Sequence, residues 1–177
     1  MQTMDFLKLA ADRYSVRSFS DQPVENEKIE KILQAAHLAP TGCNYQPQRI
    51  LVIREAEAVE KLRRCSRSHF NAPMAMLVCC NTEECWKRTR YDGRASGVVD
   101  ASIVATHMML EAFTLGLGTT WVMHFDPEAM RREFAIPDHI DPIALLVMGY
   151  PAPDAEPHRY HSEFRPIEEV VVYDSFA

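Results

Sequence analysis

Paired cysteine spacing, a basic excess and nucleotide-loop glycines are all missing from this sequence, and each absence closes off a class of function. The five cysteines are an odd set with no spacing that reads as a disulfide framework, so a reducing cytoplasm is the expected compartment. The net charge is -6, with no basic tail or arm, which argues against nucleic acid as a partner. No G-x-G-x-x-G follows a strand-like run, and neither G-x-S-x-G nor a Walker loop occurs; a dinucleotide-type Rossmann turn is therefore excluded. The seven histidines are scattered, without a His/Cys or His/His pair at metal spacing. The opening MQTMDF lacks a charged start and a long apolar run, so no signal peptide is expected. There is no repeat, linker or low-complexity segment. At 177 residues and 47% hydrophobic content, the expectation is one domain over 1–177 with a substantial core.

What is present is organised around residues 97–121, GVVDASIVATHMMLEAFTLGLGTTW. Asp100, His107 and Glu111 are its only titratable groups, and Val, Ile, Met, Leu and Phe fall on every side of the helix it predicts. A helix apolar all round is buried all round, and this one is a little short for a membrane span. It reads as a core helix that also packs against a partner subunit. Gly116 and Gly118 end it, and a strand follows from Thr119. A buried helix ending in glycines beside a strand end suits a flat ligand, or it is a plain helix-to-strand turn.

Before it, residues 5–12 predict a short helix with Phe6, Leu7, Leu9 and Ala10 on one face. Arg13, Ser15 and Arg17 then alternate with Tyr14 and Val16. An extended chain sets the two guanidinium groups and the hydroxyl on one side, which suits a phosphate or leaves two solvated arginines and a capping serine. Residues 26–38 predict an amphipathic helix. In the loop 40–47, PTGCNYQP, an extended backbone would point Asn44 and Gln46 the same way, offering amides to a heterocycle; the alternative is a turn whose amides satisfy the backbone. Residues 48–53 predict a strand, 55–66 a charged surface helix with Val59 and Leu62 inward, and 73–80 a central strand in which Cys79 and Cys80 pack as core residues. The polar stretch 83–94 mixes aromatic and charged residues in the manner of a lid or a solvated surface. Asp126-Pro127 starts a further helix, residues 143–148 form another apolar strand, and 169–173, EVVVY, predict a strand that pairs with a distant sheet edge or a partner's. The class is α+β or α/β around a mixed sheet flanked by helices.

Several segments together resemble the FMN-dependent nitroreductase family. Arg13-Tyr-Ser-Val-Arg17-Ser-Phe19 is similar to its R-x-S-x-R-x-F opening, and Ala39-Pro40-Thr41 with Asn44-Tyr-Gln46-Pro47 to its A-P-S/T-x-x-N-x-Q-P loop. Asp100 through Gly116-Leu-Gly118-Thr-Thr-Trp121 resembles its D-x-x-x-A…G-L-G-T-x-W segment; Gly149-Tyr-Pro151 and Arg165-Pro-Ile-Glu-Glu resemble its later elements. The motifs span nearly the whole chain in order. The resemblance implies an α+β fold, an intertwined homodimer, and FMN between the subunits. It implies that Arg13, Ser15 and Arg17 hold the phosphate, helped by Arg165. Pro40, Thr41, Asn44 and Gln46 would line the flavin and its ribityl chain, partly from the other subunit, and the backbone near Gly118 and Thr119 would approach the reactive ring edge. Gln48 replaces an aromatic common in the family, Cys43 is not a family requirement, and Arg159 and His161 compete with Arg165.

The implied activity is ping-pong hydride transfer from NADH or NADPH, through FMN, to a nitroaromatic, quinone or similar small-molecule acceptor. No acid or base side chain is assigned; the flavin carries the chemistry. The rival readings are a non-catalytic flavin binder, the same fold with another reaction such as reductive dehalogenation or flavin destruction, and a thiol enzyme using Cys43 or Cys85. No membrane partner is expected.

Overall fold

The computed structural model describes residues 5–176; the expectation for the opening residues Met1 to Met4 lies outside them. The elements are α1 (Phe6–Asp12), α2 (Asn26–Leu38), β1 (Gln48–Ile53), α3 (Ala56–Cys65), β2 (Met74–Asn81), α4 (Gly97–Thr114), β3 (Gly118–Val122), α5 (Pro127–Phe134), β4 (Ile140–Gly149) and α6 (Ile167–Val170). The strands form one sheet in the order β1-β2-β4-β3, antiparallel at every pairing. The parallel component expected of a mixed sheet is confined to one bridge, Ser15 with Thr119.

The sheet is covered on both faces, and the period-two alternation of its strands decides which layer each residue joins. Met74, Met76, Val78 and Cys80 of β2 face the core shared with α2 and α4. Ala75, Leu77 and Cys79 face the core shared with α3 and α5. Every residue of β2 is buried, as expected for an uninterrupted apolar run with helices on both sides. β4 begins three residues earlier than the apolar run suggests, because Pro142 falls at a register shift next to Cys79. A bulge is where a strand tolerates a residue without a ladder N–H.

The helix caps follow from local chemistry. The Asp126 carboxylate accepts from the N–H groups of Glu128 and Ala129, with Pro127 at the first helical position. At the other end of α5, Ala135 takes a left-handed conformation. The C-terminus of α4 is held by Lys28, whose ammonium donates to the Leu115 carbonyl and the Tyr150 hydroxyl, each at 2.7 Å. A cation there also complements the helix dipole. Lys28→Met keeps the stem and removes both hydrogen bonds; it should cost about 1–2 kcal/mol, read as a lower urea midpoint with an unchanged slope.

Two expectations change. Within one chain α4 is not buried all round: Ala101, Val104, Ala105, Met108 and Ala112 make one buried stripe. Val98 and Val99 on its outer side are more than half exposed, and Ile103, Met109 and Phe113 are half-covered. Residues 169–173 do not form a strand among the described residues. Ile167–Val170 is a single helical turn after Pro166, with Glu168 and Glu169 in its first turn. Acidic residues behind a proline favour a helix start, and among the described residues no strand or bridge pairs with the valines. The apolar side of α1 is also bare, with Phe6 63% and Leu7 77% exposed. No helix among the described residues is long and apolar enough to cross a membrane.

Candidate functional site

Arg13, Ser15 and Arg17 line one cavity of about 250 Å³, together with Ala10, Ala11, His158, Tyr160, His161 and Phe164. The alternation seen in the sequence is what puts them there. Val16 between them is buried, donates its N–H to the Thr119 carbonyl at 3.0 Å, and accepts the Thr120 hydroxyl. With Val16 pinned inward, its odd-numbered neighbours turn outward. Ala10 and Ala11 leave room at the end of α1.

The C-terminal tail reaches this cavity because it is tied to the same segment. The N–H of Ala152 bonds the Ser18 carbonyl at 3.0 Å, and that of Ser20 bonds the Tyr150 carbonyl at 2.9 Å. The Tyr14 hydroxyl donates to the Ala155 carbonyl at 3.3 Å, and the His161 ring stands edge-on to Tyr14 with centroids 6.1 Å apart. His158 accepts the Tyr160 N–H on Nδ1, which leaves Nε2 to carry the ring proton. Among the described residues no carboxylate pairs with Arg13 or Arg17. Arg17 does donate from Nη1 to the Ser15 carbonyl at 3.2 Å, but two guanidinium groups without a carboxylate partner, a hydroxyl and two imidazoles around one hollow are a donor set suited to an anion.

Arg165 does not line this cavity. Its side chain is 79% exposed and pairs with Glu169 at 3.6 Å. His161, its rival in the sequence, does line it, with His158, Tyr160 and Phe164 beside it; no local pattern singled those three out. Gly118 and Thr119 lie under the Arg13 to Arg17 segment. A Cβ on Gly118 would stand 2.4 Å from a Val16 methyl, so the close approach this glycine permits is to its own chain.

The loop 40–47 forms a second cluster. α2 ends at Leu38, two residues before Pro40, and the chain then turns rather than running extended. Cys43, Asn44 and Gln46 all have positive φ, at 49°, 58° and 51°, uncommon for residues other than glycine and asparagine and typical of functional loops held from outside. Thr41 does part of the holding: its hydroxyl accepts the Gln46 N–H at 3.0 Å and its carbonyl accepts the Asn44 N–H at 3.0 Å. Asp100 does the rest. Only 2% exposed in the first turn of α4, it accepts the Gly42 N–H at 2.8 Å and the Ser96 hydroxyl at 2.6 Å. The outcome for the amides differs from an extended loop. Asn44 and Gln46 are exposed, with the Gln46 amide reaching the Asn44 carbonyl at 3.4 Å.

The polar stretch after β2 is a small hairpin. Ser96 N–H bonds the Trp86 carbonyl at 2.9 Å, Lys87 bridges Ala95, and Arg88 grips Asp92 through two nitrogens. That grip holds the Asp92 carboxyl below the usual carboxylate range. Trp86 and Ser96 sit against Gly42, where a Cβ would meet them at 3.2 and 3.1 Å. The hairpin therefore stands beside the loop.

The two clusters lie at opposite ends of α4. Gly42 is bonded to Asp100 near its start, whereas Leu117, which leads into Gly118, bonds back to the Ala112 carbonyl at 2.9 Å. Asp100 to Ala112 spans about 18 Å of helix. The half-covered apolar face of α4 runs between them.

The nitroreductase family pattern matches residues 10–71 and 64–150. A protein of Methanothermobacter thermautotrophicus, named provisionally as an NADH dehydrogenase/NAD(P)H nitroreductase, is 32% identical over 173 residues, covering 90% of this chain and 87% of its own. A crystal structure of a nitroreductase family protein from Clostridium difficile 630 is 44% identical with a TM-score of 0.91, covering 97% of this chain and 99% of that one. An FMN-dependent nitroreductase from Clostridium difficile R20291 is 25% identical with a TM-score of 0.73, covering 90% of this chain and 98% of that one.

Proposed function

This chain belongs to the nitroreductase family, and on that premise we propose that it is an FMN-dependent NAD(P)H oxidoreductase working as a homodimer. The observation that carries the reading is the cavity lined by Arg13 and Arg17, neither of them paired with a carboxylate among the described residues, together with the Ser15 hydroxyl and the tail histidines. That donor set fits a phosphate monoester, and the loop from Pro40 to Gln46 offers exposed amides and backbone groups of the kind a flavin ring and ribityl chain accept. FMN, when bound, supplies hydride acceptance from NADH or NADPH and delivery to a nitroaromatic, quinone or similar acceptor in a ping-pong cycle. Arg13, Ser15 and Arg17 orient the cofactor by its phosphate; Thr41, Asn44 and Gln46 contact the remainder; Arg165 is a weaker candidate that the tail must bring inward. No side chain is assigned as acid or base.

The placement of the clusters supports a composite site. Two copies packed antiparallel along their α4 helices about a two-fold axis would set the loop of one beside the arginines of the other. That packing would cover the exposed Val98 and Val99 and the half-covered apolar face of α4, a patch of the kind that marks an interaction surface. We read residues 1–177 as one FMN-binding domain acting in the cytoplasm, with neither nucleic acid nor membrane as partner.

The test is the absorption spectrum of freshly purified protein, followed by anaerobic NADH and NADPH additions. The expected result is a yellow protein that bleaches and recolours when a nitroaromatic or quinone is added. Colour without bleaching points to a flavin binder. A colourless protein that cannot be loaded with FMN sinks the assignment.

A further inference from the structure

Beneath the first turn of α4 two thiols meet. Cys80, near the end of β2, is 2% exposed; Cys85, at the close of the turn leading to the hairpin, is 6% exposed. Their sulfurs stand 2.9 Å apart, within about 1 Å of a disulfide bond length (~2.05 Å). The Cys85 thiol donates to the Asn81 carbonyl at 3.0 Å, which aims its hydrogen away from Cys80. The pocket for the pair exists because residue 97 is glycine. A Cβ there would lie 2.3 Å from the Cys80 sulfur and 2.5 Å from the Cys85 sulfur, so no other residue fits at that position without parting the thiols.

Other roles for the pair fail on the surroundings. Burial, and then the Cys85 contact, push the Cys80 thiol up to about 12, and at 2% exposure no substrate reaches it; its sulfur can react only with a group already in contact with it, which is Cys85 at 2.9 Å. No group of three His, Cys, Asp or Glu side chains suited to a metal exists among the described residues. The chemistry left to two adjacent thiols is with each other.

We propose that Cys80 and Cys85 are a reversible oxidation site that closes to a disulfide under hydrogen peroxide and braces the hairpin beside the candidate cofactor loop. The Cys85 sulfur takes one oxygen from peroxide, breaking the O–O bond, to give a sulfenic acid and water. The Cys80 sulfur then displaces that oxygen, which leaves as a second water with the Cys80 thiol proton. Two thiols and one peroxide thus become one disulfide and two waters. The new bond would tether the start of the hairpin to the end of β2. Through Trp86 and Ser96 it would stiffen the support behind Gly42. The proposal does not rest on the flavin assignment.

The experiment uses the full chain carrying Cys43→Ser, because Cys43 is exposed and would react first. The folded protein is treated with hydrogen peroxide, and remaining thiols are then alkylated in denaturant and weighed. Four thiols remain in this variant. The expected result is a fall to two alkylated thiols within about an hour, a mass loss of about 2 Da per molecule before alkylation, and a peptide linking Cys80 to Cys85 that dithiothreitol separates. Adding Cys85→Ala should abolish the change, and trypsin cleavage after Arg90 should slow at least about threefold in the oxidised protein. Four alkylatable thiols after treatment, or stable oxygen adducts without the linked peptide, would overturn the oxidation site. An unchanged cleavage rate in the linked protein would overturn the bracing role.

Discussion

Arg13→Ala combined with Arg17→Ala is expected to weaken FMN binding by at least about 100-fold, since each guanidinium removed takes with it one or more charge-assisted hydrogen bonds worth roughly 1.5–3 kcal/mol. The check is fluorescence titration of FMN into the apoprotein. Riboflavin, which lacks the phosphate, serves as the control. It should bind wild type and double variant alike, because the arginines address only the phosphate. A double variant that holds FMN as tightly as wild type would remove the phosphate assignment. His161→Ala should cost several-fold, more than Arg165→Ala, because His161 lines the cavity and Arg165 does not. The composite site makes a further demand. Arg17→Ala and Asn44→Ala chains, each weakened alone, should regain about half of wild-type FMN capacity as mixed dimers, because one of the two sites then carries both changes and the other neither. No recovery on mixing would mean that each chain holds its cofactor alone.

Asp100→Ala should be the most damaging single change outside the sheet. It leaves the Gly42 N–H and the Ser96 hydroxyl without their charged acceptor and removes an anion from the positive end of α4. A loss of about 3 kcal/mol is expected, measured by urea denaturation, together with loss of FMN binding as the loop is released. Asp100→Asn is the informative companion. Its carbonyl can still accept from Gly42, and the Ser96 hydroxyl can rotate to accept from its amide, so most of the stability should return. If Asn proves as damaging as Ala, the negative charge itself matters more than the two hydrogen bonds.

Asp100 also marks how far the sequence could be read. It is conspicuous there as the one carboxylate in the first half of an apolar helix, but nothing local says that it clasps Gly42, 58 positions away. Val16 shows the same limit. The alternation of Arg13, Ser15 and Arg17 with apolar neighbours was legible; that Gly118 is the surface against which Val16 seats was not.

The sequence by itself determined the helices, the apolar strands and the side of the Arg13 to Arg17 segment that faces outward. Those depend on period, capping and burial, which act over a few residues. Only the tertiary structure decided the rest. It turned the loop from Thr41 to Gln46 back on itself and brought His158 and His161 rather than Arg165 to the arginines. Each of these results from contacts between segments distant in the chain, where a hydrogen bond or a packed side chain outweighs a local preference worth a fraction of a kcal/mol.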